Sequence, residues 1–279
     1  MNRTVLFILT VLFCSCGKKA PEQQTTPKVE PTEATLTPGM EAASKAHDEG
    51  RYADAVRLYT AELVAEEAKP APSWVQLSHL NNQLGLALDD AGQYDKALEC
   101  FQKALAIQLK HLGPDHPHVA ISYTNIGEVY RAKGEFDKAL EYQKKAMAIG
   151  PKQNGSENPE LVASKYNNLA AVHLEKREYD QALELMKKSA AILHKHLGPN
   201  HPNVAICYNN IGAVYDHKGE SDKALEYYHK ALKIDLKQLG PDHTGVAFRY
   251  RNIGMVHFNK GEYPQALEYQ EKALTIRLK

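Results

Sequence analysis

Residues 208–215 read Tyr-Asn-Asn-Ile-Gly-Ala-Val-Tyr, and related stretches occur at residues 123–130, 166–173 and 250–257. A turn residue marks each copy of the underlying unit, and the six turn residues are Gly50, Gly92, Gly134, Arg177, Gly219 and Gly261. Their spacings are 42, 42, 43, 42 and 42 residues. A fixed period of this length predicts a solenoid, in which each unit packs mainly on its neighbours.

Each unit is predicted to form two antiparallel helices, A before the turn residue and B after it. Apolar residues recur at helical spacing in both. Helix A has one small residue near its centre and helix B has two, which lets packed helices approach closely. These positions hold Gly85, Gly127, Ala170, Gly212 and Gly254 in helix A, then Ala55, Ala97, Ala139, Ala182, Ala224 and Ala266, and Ala104, Ala146, Ser189, Ala231 and Ala273, in helix B.

The small positions, together with Tyr123, Tyr166, Tyr208 and Tyr250 early in helix A, resemble the pattern of the tetratricopeptide repeat (TPR) family. The 42-residue period and the junctions at residues 112–117, 197–202 and 239–244 are similar to the kinesin light chain type of this repeat. The resemblance implies an all-α fold, a right-handed superhelical solenoid of about six helix-turn-helix repeats. Armadillo repeats share the period but need three helices, whereas the paired small positions fit two.

The junctions read Leu-Gly-Pro-Asp/Asn-His-Pro/Thr, which predicts how one repeat passes to the next. Glycine ends helix B, proline prevents its continuation, and a residue in the next helix's first turn can be proline. Asp115, Asn200 and Asp242 are predicted to cap helix A, because short polar side chains accept hydrogen bonds from free backbone N–H groups.

The N-terminus resembles a bacterial lipoprotein leader. Arg3 precedes a nine-residue apolar run at residues 5–13, which suits a secretory signal better than a membrane-spanning helix. Ser15 stands directly before Cys16, so Cys16 is the predicted lipidation site, although Phe13 departs from the usual lipobox. Ordinary signal cleavage and an uncleaved anchor are the alternatives. With a lipid anchor, the protein would lie in the bacterial cell envelope and face the periplasm or the cell surface.

The domain prediction has three parts. Residues 1–16 form the lipoprotein signal peptide, and residues 17–38 form a disordered tether rich in Pro and Thr, because they hold few large apolar residues. Residues 39–279 form the solenoid. Its repeats are placed at about 39–72, 73–116, 117–158, 159–201, 202–243 and 244–279.

Composition and motifs argue against several functions. Lys plus Arg equals Asp plus Glu at 34 each, so the chain has no basic excess of the kind that nucleic acids attract. Phosphate loops, catalytic serine motifs and zinc-protease motifs do not occur, so we expect no enzyme and no cofactor. The thirteen histidines suggest a metal site, but His116, His201 and His243 recur with the junction, so a structural role is favoured over metal binding.

One column of helix A carries carboxamides: Gln83, Asn125, Asn168, Asn210 and Asn252. A carboxamide both donates and accepts hydrogen bonds, so a row of them can bind the backbone of an extended peptide. In the resembled family, asparagines here contact peptide on the concave face. The alternative is that each one bonds a neighbouring helix. The other predicted peptide-binding residues are Asn82, Glu128, Arg131, Asn167, Asn209, Asp216 and Arg251.

The sequence therefore predicts a membrane-anchored scaffold that binds a protein or peptide partner in its groove. The rival hypothesis is a structural envelope module that self-associates into a homo-oligomer through its last helix. Predicted partners are a protein or peptide and, through the N-terminal lipid, a membrane.

Overall fold

A computed structural model describes residues 34–149 and 158–278. These residues belong to one compact unit, Glu33–Lys279, whereas the other unit, Met1–Thr32, lies outside the described residues. The predicted signal peptide with Cys16, most of the tether and residues 150–157, between the third and fourth repeats, therefore also lie outside. Within the described ranges no helix is both long and apolar enough to cross a membrane.

The described residues form twelve α-helices in six pairs and contain no strand, which confirms the predicted all-α solenoid. The A helices are α1 (Pro38–Asp48), α3 (Trp74–Asp90), α5 (Pro117–Ala132), α7 (Pro159–Glu175), α9 (Pro202–His217) and α11 (Thr244–Asn259). The B helices are α2 (Tyr52–Glu67), α4 (Tyr94–Leu112), α6 (Phe136–Ala148), α8 (Tyr179–Leu197), α10 (Ser221–Gln238) and α12 (Tyr263–Arg277). Each helix packs on the next one along the chain, and A helices of neighbouring repeats also meet.

The small positions allow close contact within each repeat, as predicted. A Cβ atom on Gly85 would lie 2.7 Å from the Phe101 ring, and one on Gly212 would lie 2.9 Å from the Tyr228 ring. Real Cβ contacts are not this short, so any larger residue would push helices A and B apart. The alanines of helix B that face them are buried.

The turn between helices A and B needs a left-handed backbone. Gly134 has φ 76°, Gly219 has φ 80°, and Arg177 adopts φ 61° in the one repeat that lacks glycine there. A non-glycine residue in this region is strained by its Cβ atom. The turn is kept because the surrounding helices fix its backbone hydrogen bonds, including Glu178 N–H to the His173 carbonyl at 2.8 Å.

A row of ion pairs connects the turns of neighbouring repeats. The lysine that follows α5, α7, α9 and α11 reaches an aspartate near the start of the preceding B helix, at N–O distances of 2.7–2.9 Å. We call this row the turn edge; its pairs are Lys133–Asp95, Lys176–Asp137, Lys218–Asp180 and Lys260–Asp222. Exposed ion pairs of this kind contribute little free energy each, so they align the repeats more than they stabilise them.

The predicted caps of the A helices are wrong. Helices α5, α9 and α11 are capped by His116, His201 and His243, whose Nδ1 atoms accept hydrogen bonds from backbone N–H groups two residues later at 3.0–3.2 Å. The N-cap is one residue later than predicted, because Pro or Thr at the next position already belongs to the helix. Burial and the neighbouring His118 lower the pKa of His116, which favours the neutral, accepting ring.

The described residues before α1 contact the first two repeats. Thr35 donates its N–H to Gln76 Oε1 at 3.0 Å, and Gln76 donates back to the Thr35 carbonyl at 2.9 Å. Thr37 caps α1 and donates its hydroxyl to Glu62 at 2.6 Å. Residues 34–37, which the sequence assigns to the tether, are therefore joined to the first two repeats.

The inter-repeat junctions share two positions but differ in chemistry. In the junctions described next, one position lies near the end of helix B, inside the helix, and the other lies early in the next helix A. Ser122 donates to Gln108 at 2.7 Å at the second junction, and Arg249 Nε donates to Asp235 at 2.8 Å at the fifth. At the fourth junction the same positions hold Leu193 and Cys207, both buried in the apolar core.

Candidate peptide-binding face

Helix A presents its carboxamide column on one surface. The residue directly before each carboxamide and the residues three and six positions after it share the same face of the α-helix. We call this surface the A-helix face. Its members from the second repeat to the sixth are Asn82, Thr124, Asn167, Asn209 and Arg251; Gln83, Asn125, Asn168, Asn210 and Asn252; Leu86, Glu128, Ala171, Ala213 and Met255; and Asp89, Arg131, Leu174, Asp216 and Phe258.

Two carboxamide pairs on this face are closed. Asn125 Nδ2 donates to Asn82 Oδ1 at 2.9 Å, and Asn252 Nδ2 donates to Asn209 Oδ1 at 2.8 Å. Each bond links the A helices of two neighbouring repeats, as the alternative reading of the column expects. Asn209 is buried as well, so it supports the wall of the face.

The remaining carboxamides of the column are open. Gln83, Asn168 and Asn210 are half-buried, and none has a side-chain hydrogen bond to another described residue. Asn210 follows Asn167 by 43 residues, the same spacing as in the closed pairs. Asn167 instead donates to Cys207 Sγ at 3.7 Å, and its Oδ1 atom is buried without a partner.

This middle part of the face therefore has hydrogen-bonding groups that the protein itself does not satisfy. Carboxamides left without partners can donate to and accept from an extended backbone. Buried polar atoms without partners cost free energy, so a ligand that supplies the missing bonds would be favoured.

The third and fourth repeats contribute an internal charge network. Arg131 Nε donates to Glu128 at 2.9 Å, and its Nη1 atom lies 3.5 Å from Glu175. Gln143 also donates to Glu128 at 3.0 Å. Glu128 and Arg131, the two charged residues of the third repeat that were predicted to bind peptide, are therefore paired with each other within the protein.

Two aspartates on the face are not neutralised in this way. Burial, with the nearby charges of Asp90 and Glu128, raises the pKa of Asp89 to about 6, and its Oδ1 atom is buried without a partner. Burial also raises the pKa of Asp216, whose side chain is hydrogen-bonded by Asn259. Arg251 is exposed at the far end and has no ion pair with a described residue.

Apolar side chains add contact area around this polar column. Ile121 and Phe248 are 41% and 39% exposed, and Met255 and Phe258 are 49% and 57% exposed. At the opposite end, Gln83 and His79 line a cavity of about 390 Å³ whose other walls include Met40 and Tyr59. This cavity was not predicted, because it depends on how α1, α2 and α3 meet.

The histidines outside the face have structural contacts. His173 and His257 replace tyrosines found in other repeats, and their Nδ1 atoms lie 2.5 and 2.6 Å from Glu178 and Glu262. In the part of the chain that the structure describes, no three histidine, cysteine or acidic residues are arranged to hold a metal ion. The capping role of the junction histidines could have been read from their place just before the helix.

Comparisons with known proteins match this architecture. A family model described as the tetratricopeptide repeat matches residues 75–152, 161–237 and 210–279. The TPR-like repeats of a candidate kinesin light chain from Podosopora anserina are 26% identical and cover 71% of this chain and 94% of that chain, with a TM-score of 0.60. No curated protein matches the sequence.

Two further solved structures are similar in fold. BtubC (BKLC) from P. vanneervenii is 24% identical over 86% of this chain and 90% of that chain, with a TM-score of 0.62. The apo form of RapI is 19% identical over 86% of this chain and 81% of that chain, with a TM-score of 0.61. At these identities the likeness shows the fold alone.

Proposed function

The chain belongs to the tetratricopeptide repeat family, and from this premise we propose that it is a membrane-anchored scaffold that binds an extended peptide segment of a protein partner on its A-helix face. The fold is in general a non-catalytic scaffold for protein–protein interaction. The observation that carries the proposal is that the half-buried carboxamides of Asn168 and Asn210, in the fourth and fifth repeats, have no hydrogen bond to another described side chain.

The closed pairs are the reason to place the peptide at these repeats. Asn125 and Asn252 each already use one N–H to bond another carboxamide, so a peptide that reoriented these side chains would lose those bonds. Asn168 and Asn210 can bond a peptide backbone at no such cost. A main-chain contact of this kind gives affinity without reading side chains, and the flanking charged and apolar groups would supply specificity.

The membrane anchor rests on the sequence alone. Cys16 follows an apolar run of signal-peptide length, and several acyl chains on one cysteine would hold a protein at a membrane firmly. We propose a location in the bacterial cell envelope, facing the periplasm or the cell surface. A Cys16→Ser variant that still enters the detergent phase and still incorporates labelled palmitate would contradict lipidation at this residue.

The groove is tested by crosslinked pull-down from cell envelopes with two matched double variants. Asn168→Ala with Asn210→Ala removes the open carboxamides, and Asn125→Ala with Asn252→Ala removes the same number from closed pairs. With helicity confirmed equal, we expect partners to be lost from the open-pair variant and retained by the closed-pair variant. Partners unchanged in the open-pair variant would contradict binding at these residues.

A second candidate function is self-association through α12. Tyr263, Leu267 and Leu274 are 62%, 61% and 55% exposed, whereas Leu232, which occupies the position of Leu274 one repeat earlier, is 7% exposed because the following repeat covers it. An apolar stripe of this kind is suited to a second copy of the chain. We expect the molecular mass in solution to rise with protein concentration, and Leu274→Glu to abolish that rise. Val64→Glu, at an exposed apolar site on α2, should leave it unchanged. A monodisperse monomer at all concentrations would exclude this function.

A further inference from the structure

We propose that the peptide bound on the A-helix face is basic, with lysine or arginine side chains that pair with Asp89 and Asp216. This inference rests on the proposed function and names the chemistry of its partner. It follows from the charges of the face that the protein leaves unpaired.

The basic groups of the face do not balance its acids. Arg131 is held between Glu128 and Glu175, so its charge is already matched by two carboxylates. Arg251 is the other arginine of the face, and it lies in the last repeat. Neither Asp89 nor Asp216 forms an ion pair with a described lysine or arginine. The second to fifth repeats therefore present an excess of negative charge.

Asp89 lacks the partners that a structural carboxylate normally has. Its Oδ1 atom is buried and accepts no hydrogen bond. Burial raises its pKa most, the charges of Asp90 and Glu128 raise it further, and the charge of Arg131 offsets this only in part. The neighbouring Asp90 is paired with His47 at 2.7 Å. A cationic side chain placed beside the half-buried Asp89 carboxylate would relieve the repulsion from Asp90 and Glu128.

Asp216 occupies the same helical position as Asp89 three repeats later. Burial raises the pKa of Asp216; His217 and a hydrogen bond from Asn259 oppose that rise, but no described lysine or arginine forms an ion pair with the carboxylate. The open carboxamides of Asn168 and Asn210 lie in the fourth and fifth repeats, between or beside these two acids along the chain. Asp216 lies in the same helix as Asn210, so a peptide bound to the carboxamides passes Asp216, and one that extends along the face past the third repeat also reaches Asp89. Acidic side chains on such a peptide would be disfavoured.

The test is selection of random twelve-residue displayed peptides on the full-length protein. We compare the wild type with Asp89→Asn plus Asp216→Asn, and with Asp137→Asn plus Asp222→Asn as a control. The control removes the same two charges from the turn edge, where these side chains are 92% and 91% exposed. Affinities of the enriched peptides are then measured by fluorescence anisotropy at two salt concentrations.

We expect Lys and Arg to outnumber Asp and Glu in the enriched peptides. The Asp89/Asp216 variant should lower their affinity about tenfold, and the turn-edge variant should leave it nearly unchanged. Neutral or acidic enriched peptides, or equal losses in the two variants, would overturn the basic partner but leave peptide binding intact. If no peptide is enriched over a bare surface, peptide binding on this face is itself overturned, and this inference with it.

Discussion

The inter-repeat junctions and the A-helix face differ in whether their polar side chains are hydrogen-bonded within the protein. The junctions vary in chemistry from repeat to repeat. Even so, the side chains of Gln108, Lys165 and Arg249 each form a hydrogen bond within the protein. The A-helix face repeats one chemistry, a carboxamide column, yet leaves part of it open. Of the four buried side-chain atoms without a partner among the described residues, Asp89 Oδ1 and Asn167 Oδ1 belong to this face, and Gln143 Oε1 lies on a side chain that donates to Glu128 of the face.

This difference separates what holds the solenoid together from what it offers to a partner. A junction must be complete in the isolated chain, because an unpaired buried group there would weaken the stack of repeats. A binding surface can stay incomplete when a ligand completes it. The same residue type therefore has two roles: Asn125 and Asn252 join neighbouring repeats, and Asn168 and Asn210 remain open.

The largest expected effect comes from breaking a junction. Arg249→Leu would leave Asp235 buried without its partner, and the sixth repeat should lose about 3–5 kcal/mol of stability against the fifth. Hydrogen exchange of α11 and α12 measures this loss locally.

The matched control for that substitution is Asp235→Leu with Arg249→Leu, which reproduces the apolar chemistry of the fourth junction. It should recover most of the lost stability, because a buried ion pair contributes little over well-packed apolar side chains. If Arg249→Leu alone loses less than about 1 kcal/mol of stability, water must reach the Arg249–Asp235 ion pair.

The next largest effect on stability is expected from removing the charge of Asp89 on the A-helix face. The pKa of Asp89 is raised to about 6 in the folded protein from an ordinary value of 3.8, so the folded state holds this proton more tightly than the unfolded state. The wild type therefore loses stability as pH rises from about 4 to about 6, and the loss remains above that range. Asp89→Asn should be more stable by about 1–2 kcal/mol at pH 7.5, after allowance for partial solvent screening.

The pH dependence provides the control for the Asp89 variant. At pH 4 wild type and variant should unfold at nearly the same denaturant concentration, because Asp89 is then protonated in the folded protein. A gain that is equal at both pH values would point to a cause other than the charge. Asp137→Asn on the turn edge should show no comparable gain.

The smallest effect distinguishes the closed carboxamides from the open ones. Asn125→Ala removes the bond to Asn82 and should cost about 1 kcal/mol, whereas Asn168→Ala should change stability by less than about 0.5 kcal/mol. Urea unfolding of the two single variants measures the difference. Equal costs would mean that Asn168 also has a structural partner and is not an open carboxamide.

The repeat period made most of the fold predictable. The spacing of Gly50, Gly92 and Gly134, the small helix positions and the junctions predict six helix pairs, and the described residues form six. The capping residues were misplaced by one position, since Asp115 and His116 are both polar and only the backbone geometry shows which side chain reaches the free N–H groups.

The residues of the proposed binding face could be predicted only as a column. The sequence shows five carboxamides at equivalent positions, but Asn125 and Asn210 look alike in it. Which of them is closed depends on the neighbouring repeat, because the closed pairs form between side chains 43 residues apart. The raised pKa of Asp89 likewise depends on Glu128, a residue of the next repeat.

The sequence by itself determined the helix pairs, their number and the surface that carries the carboxamides, since helical period and chain-local turn chemistry set these properties. The tertiary structure decided which polar groups are satisfied, which are left open and which charges are neutralised. These properties depend on distances of a few ångströms between side chains of different repeats, and hydrogen bonds and buried charges respond steeply to such distances. A repeating sequence fixes where its side chains are presented, and only their packing shows which remain free to bind.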